Sequence, residues 1–165
     1  MASAYDSLTA LPVAVLLDNV RSMYNVGSFF RTMDAAAAGP LLLTGITASP
    51  PKPAIRKTAL GAEENVRWQH DWEPTPVLDR LRGEGYQIAA IETTAHALDL
   101  FEWQPAFPVC LVFGHEVEGI RPEVAGQCDV HIRIPMLGKK HSLNVATAGG
   151  VVLFELLRKY AALHA

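Results

Sequence analysis

The chain has 165 residues, 50% of them hydrophobic and 19% charged, enough length and apolar content for a single core that needs no disulfide or metal staple. Cys110 and Cys128 share no short spacing with each other or with a histidine, which points away from a zinc knuckle or a disulfide framework and towards a reducing, cytoplasmic setting. The formal net charge of -3 argues against an all-over basic nucleic-acid binder.

The N-terminal segment has no basic region ahead of its apolar stretch, and Leu11 to Leu17 is far too short for a membrane span, so no signal peptide or anchor is expected. PVAVLLDN reads as a strand covered on both faces. A helix capped by Ser22 or Asn25 follows, with Val26, Phe29, Phe30, Met33 and Ala37 at helical spacing before Gly39-Pro40 stops it. LLLTGI is a second strand, SPPKP a loop, Ala54 to Leu60 a short helix, and VRWQH a third strand. TPVLDRLRGEG has a helix's periodicity and glycine stop; YQIAAIET and PVCLVFG are strands. The GHEVEGI turn, a brief helix at Pro122 to Ala125 and the strand VHIRIP come next. Ser142 to Tyr160 is helix-like apart from Gly149-Gly150, whose cost in helix propensity suggests close packing against a neighbour.

Strands alternating with helices predict one α/β domain over residues 1-165 with a mostly parallel sheet. Ligands on such sheets bind beyond the carboxyl ends of the strands, where this chain places NVRSMYNVG, GHEVEG and MLGKKHSLN. In the first loop, Asn25 and Arg31 are nearly two helical turns apart. Arg31 suits a phosphate or carboxylate and equally a surface pair with Asp34. In the second, Gly114 and Gly119 permit a tight turn, with Glu116 available to brace a neighbouring loop or to meet a cation; no dinucleotide fingerprint and no metal-ligand spacing is present, so no metal is expected. In the third, Ser142 and Asn144 stand at the mouth of the last helix, either as caps or as part of an anion site preceded by Lys139, Lys140 and His141.

Charge is unevenly spread. From Asp71 to Glu118 nine carboxylates meet only Arg80 and Arg82, leaving 12 Lys/Arg against 8 Asp/Glu in the rest. Two stretches without acids carry Lys52, Arg56 and Lys57, and Arg133, Lys139 and Lys140; they read as solvated loops or as surfaces for phosphate.

Together the segments NVGSFFRTMDAAAAG, LVFGHEVEGI and IPMLGKKHSLNVATAGGVVLFE, with KTALGAEENVRW between the first two, resemble the SpoU/TrmH branch of the SPOUT RNA methyltransferases. The resemblance implies an α/β knot, a mostly parallel sheet flanked by helices whose C-terminal segment is threaded as a trefoil, an exception to the usual unknotted chain. It implies a homodimer that moves methyl from S-adenosylmethionine to a ribose 2′-hydroxyl of tRNA or rRNA. Gly114, Ile134, Met136, Leu143 and, as an addition, Thr93 would bind the cofactor. Arg31 would be the catalytic residue, with Asn25, Glu116, Ser142 and Asn144 shaping the site. Arg31, Lys52, Arg56, Lys57, Lys139 and Lys140 would meet RNA.

Two departures from the family pattern stand out. SLNVA replaces the common SLNVS, so Ala146 lacks a hydroxyl, and the chain starts almost directly at the first strand, without the N-terminal RNA-binding extension of many relatives. RNA capture then falls to the catalytic surface, the dimer or an accessory protein. A non-catalytic RNA-binding protein that keeps the cofactor pocket is the competing expectation.

Overall fold

A computed structural model describes residues 3–165. In chain order the elements are β1 (Val13–Asp18), α1 (Met23–Ala35), β2 (Leu41–Thr44), α2 (Pro53–Ala59), β3 (Trp68–Asp71), α3 (Pro74–Gly83) and β4 (Gln87–Ile91). Then come β5 (Leu98–Asp99), β6 (Val109–Phe113), α4 (Pro122–Ala125), β7 (Val130–Arg133) and α5 (Val145–Leu163). The seven strands form one sheet in the order β3-β2-β1-β6-β4-β7-β5. Every pair is parallel.

The alternation of side chains along β1 explains the layering. Val13, Val15 and Leu17 enter the core shared with α1, α2 and α5, whereas Ala14 and Leu16 enter a second core with α3 and α4. A strand buried on both faces is apolar over its length, as β6 is throughout and β1 is up to its last residue, Asp18. Each fully buried Leu or Val contributes about 1.5–3 kcal/mol relative to exposure, which makes this central pair the rigid floor from which the loops spring.

The structure departs from the sequence reading at three places. α1 ends at Ala35, not near Ala37: Ala37 takes φ 52, Ala38 N donates to Met33 O and Ala37 N to Asp34 O. This double bond pattern is a left-handed helix terminus formed on an alanine, so the helix stops before the glycine expected to stop it. The last helix begins at Val145, because Asn144 rather than Ser142 is its cap. β5 has no counterpart in the expected elements; two residues pairing with β7 at the sheet edge carry too little pattern to be read.

The paired glycines of α5 differ from each other. A Cβ on Gly149 would lie 2.3 Å from Phe29 Cε1, while one on Gly150 meets nothing within 4 Å. Only Gly149 fits the expected close packing: it lets α5 approach α1, where Phe29 also packs edge-on against Phe113 with ring centroids 5.0 Å apart. Overpacking costs about 1–3 kcal/mol against a helix-propensity gain of about 0.5–1. Urea unfolding should therefore show Gly149→Ala destabilised by about 1–2 kcal/mol, and Gly150→Ala unchanged or slightly stabilised.

Candidate active site

The carboxyl ends of β4, β6 and β7 open into one cleft, walled by the loops that leave them. Glu92 and Thr93 follow β4, Gly114 to Val117 and Gly119 follow β6, Ile134 and Met136 follow β7, and His141 to Val145 lead into α5. All five expected cofactor residues, Thr93, Gly114, Ile134, Met136 and Leu143, line it, together with Glu116, Ser142 and Asn144. A larger hollow at the other end of the sheet, lined by Pro40, Val66, Arg67, Arg80 and Tyr86 among others, lies at the amino ends of β2, β3 and β4, where such sheets do not bind ligands.

The β6 turn depends on two glycines. A Cβ on Gly114 would sit 2.4 Å from Gly119 O, and Gly119 has φ 73, a conformation that favours glycine. His115 and Gly119 exchange two backbone hydrogen bonds of 3.1 and 2.9 Å, and His115 Nδ1 accepts the Val117 and Glu118 N–H groups, each at 3.1 Å. That ring nitrogen is spent on the turn.

Glu116 joins this turn to the β1–α1 loop, accepting from Arg21 N at 2.7 Å and Ser22 N at 3.1 Å. The bracing role expected of it is thus its observed one. Ser22 caps α1 by accepting from Asn25 N, so Asn25 is free to act through its side chain. Asn144 accepts from Ala146 N and Thr147 N as the cap of α5, and its Nδ2 donates to Asn25 Oδ1 at 3.3 Å. A chain of polar contacts therefore links all three loops.

Beneath them, Asp18 is 1% exposed, accepting from Thr44 Oγ1 at 2.8 Å and from Arg121 Nε and Nη2 at 2.9 and 3.2 Å. This hydrogen bonding raises the Arg121 guanidinium further above its ordinary value. Neither Asp18 nor Arg121 was singled out from the sequence; the signal was an acid at the end of an otherwise apolar strand. Glu92 was also missed, and its Oε2 accepts from Ile120 N at 2.8 Å.

Arg31 does not line the cleft. It is exposed, with no carboxylate within 4.0 Å among the described residues, so the alternative pairing with Asp34 is not formed. Four residues of helix place it about 40° from Gly27, on the side where α2 crosses α1 with its Thr58 and Ile55 against Gly27. Lys52 immediately precedes α2 without a side-chain cap hydrogen bond; Arg56, farther along it, lies 3.7 Å from Glu63. Lys139 and Lys140 are exposed on the loop between β7 and α5. Burial pushes the Cys128 thiol up to about 12 and Cys110 up as well, and neither lines the cleft.

The model of the SpoU rRNA methylase family matches residues 12–154. The chain belongs to this family. It is 32% identical over 151 residues to the 23S rRNA (guanosine-2'-O-)-methyltransferase RlmB of Pseudomonas syringae pv. tomato, a match covering 92% of this chain and 60% of that relative. The chain thus spans less than two thirds of the length of that relative. Its fold superposes on the A. aeolicus TrmH/SpoU tRNA modifying enzyme with TM-score 0.84 at 28% identity, covering 93% of this chain and 77% of the other. It superposes on the SpoU methyltransferase AviRb from Streptomyces viridochromogenes, in complex with AdoMet, with TM-score 0.82 at 26% identity, covering 97% and 63%. The parallel sheet with flanking helices is that of the SpoU/TrmH structures.

The cap on α5 gives a direct test. Replacing an Asn cap by Ala costs about 0.5–2 kcal/mol. Asn144→Ala should lower stability by about 1 kcal/mol in thermal or urea unfolding, and Asn144→Asp, which keeps the acceptor but cannot donate to Asn25, should retain most of it.

Proposed function

We propose that the chain is the catalytic unit of a homodimeric, S-adenosylmethionine-dependent RNA 2′-O-ribose methyltransferase acting on tRNA or rRNA in the cytoplasm. The observation that carries this reading is the convergence of the two motif-bearing loops after β6 and β7 on one cleft at the carboxyl ends of β4, β6 and β7, with the third, between β1 and α1, tied to them through Glu116 and Asn144. The cleft fits the cofactor chemically. The glycine turn brings backbone close to a ligand, and Ile134, Met136 and Leu143 give an apolar wall suited to adenine. Residues 134 to 163 would form the threaded arm of the knot.

When bound, S-adenosylmethionine supplies an electrophilic methyl on a sulfonium sulfur. The chain's own residues must hold the ribose oxygen in line with that methyl. Arg31 cannot readily serve as a base, since a guanidinium keeps its protons; instead it donates to a substrate phosphate and stabilises the charge growing on the 2′-oxygen. The hydroxyl proton passes to water. Because Arg31 stands outside the cleft of its own chain, dimerisation is the means of completing the site in this reading. Val151 and Phe154 on α5, with Met23 and Tyr24 on α1, are exposed apolar residues suited to such an interface. On the same helix, Val152 and Leu156 are core. Lys52, Lys57, Lys139 and Lys140 would add salt-sensitive phosphate contacts, with Arg56 partly held by Glu63; an accessory protein could assist capture.

Calorimetric titration with S-adenosylmethionine and its demethylated product should show micromolar binding that Leu143→Glu abolishes. Arg31→Ala should retain cofactor affinity while methyl transfer to unmodified tRNA or rRNA falls by at least about 100-fold, the scale of losing one positioned charge donor. No binding by the folded wild-type protein, or methyl label recovered in protein and none in RNA, would overturn the reading.

A further inference from the structure

We infer that Glu92 is the residue through which the cleft recognises the ribose hydroxyls of its nucleoside cofactor. This rests on the reading of the cleft as a cofactor site and adds a specificity-determining residue to it.

Glu92 directly follows β4 and lines the cleft. Its carboxyl group lies against Gly119, where a Cβ would come within 2.7 Å of Oε2 and 3.2 Å of Oε1. Oε2 accepts from Ile120 N at 2.8 Å. Among the described residues no Lys, Arg or His nitrogen lies within 4.0 Å of the carboxylate, and no hydrogen bond reaches Oε1. The other cleft carboxylate, Glu116, differs: Arg21 N and Ser22 N fill both of its oxygens. Bracing Ile120 needs only one neutral acceptor, such as a glutamine oxygen. A partly buried carboxylate with one oxygen unspent is costly to desolvate, and donors on a ligand would offset that cost.

The ligand's chemistry follows from the two walls. Ile134, Met136 and Leu143 form the apolar side, which takes a purine ring. The group attached to the purine is the ribose, whose vicinal hydroxyls are donors that a carboxylate oxygen accepts.

The experiment titrates wild-type protein and Glu92→Gln with S-adenosylhomocysteine and with its 2′,3′-dideoxy counterpart. Glutamine can keep the acceptor for Ile120 N, and an unchanged melting temperature checks that the fold is kept. Wild type should bind the hydroxylated ligand roughly tenfold or more tightly than the dideoxy one, the scale of a hydrogen bond to a charged group. Glu92→Gln should weaken the hydroxylated ligand and erase most of that gap. The inference fails if wild type shows no preference for the hydroxyls. It fails equally if Glu92→Gln weakens binding but leaves the gap intact, because the carboxylate then meets another group. If wild type binds S-adenosylhomocysteine not at all, the cofactor reading falls and this inference with it.

Discussion

Parallel pairing of β1 with β6 and of β6 with β4 is the constraint on which the site depends. Residues Val13 to Leu17 register with Val109 to Phe113, and Gln87 to Ala90 with Val109 to Val112, so the three strands end at nearly the same height. Parallel strands point all their carboxyl ends to one edge of the sheet. Loops from distant stretches of sequence therefore emerge side by side, and the helices that return the chain cover both faces. The apolar character of β1 and β6 secures this register, because slipping a strand by one residue would exchange its two sets of side chains between the two cores.

Alignment alone leaves loops loose, and polar contacts fix them. Asp18 is the deepest, a carboxylate at the end of an apolar strand satisfied by Thr44 and by two donors of Arg121. Such a pair adds little net stability over an apolar isostere, but removing Arg121 would leave the buried Asp18 without its counter-charge. Its value here is positional: it ties the first residue beyond the second loop to the base of the first. Glu116 repeats the connection nearer the surface, and Asn144 to Asn25 extends it to α5. The contact between Asn144 and Asn25 uses short side chains, which lose less conformational entropy when held than long ones.

α1 and α5 share one contact and divide two tasks. Gly149 against Phe29 sets their approach, the inner residues of both enter a common core, and outer residues such as Tyr24, Val151 and Phe154 stay exposed. The same α1 carries Asn25 towards the cleft and Arg31 away from it. About 120° of helical rotation separates the two, so one helix holds Asn25 against Asn144, a cleft residue, and presents Arg31 elsewhere.

The sequence by itself determined the element types and the order in which they come, since continuous apolar runs and helical spacing are local properties. It also determined the three loops and most of the cleft, because glycines, caps and the family's motifs lie within short segments: every expected cofactor residue lines one cleft. What it could not carry was any fact that arises from pairing across distance. β5 exists only because Leu98 and Asp99 find β7. The end of α1 on Ala37 needed Leu11 to bind Ala37 O. The different meanings of Gly149 and Gly150 depended on where Phe29 stood. Glu92, outside the motifs, and Arg121, just past the second of them, gained their roles from neighbours 28 and 103 residues away. Local spacing fixes which face a residue takes on its own element, but only the packed sheet decides which partner meets that face.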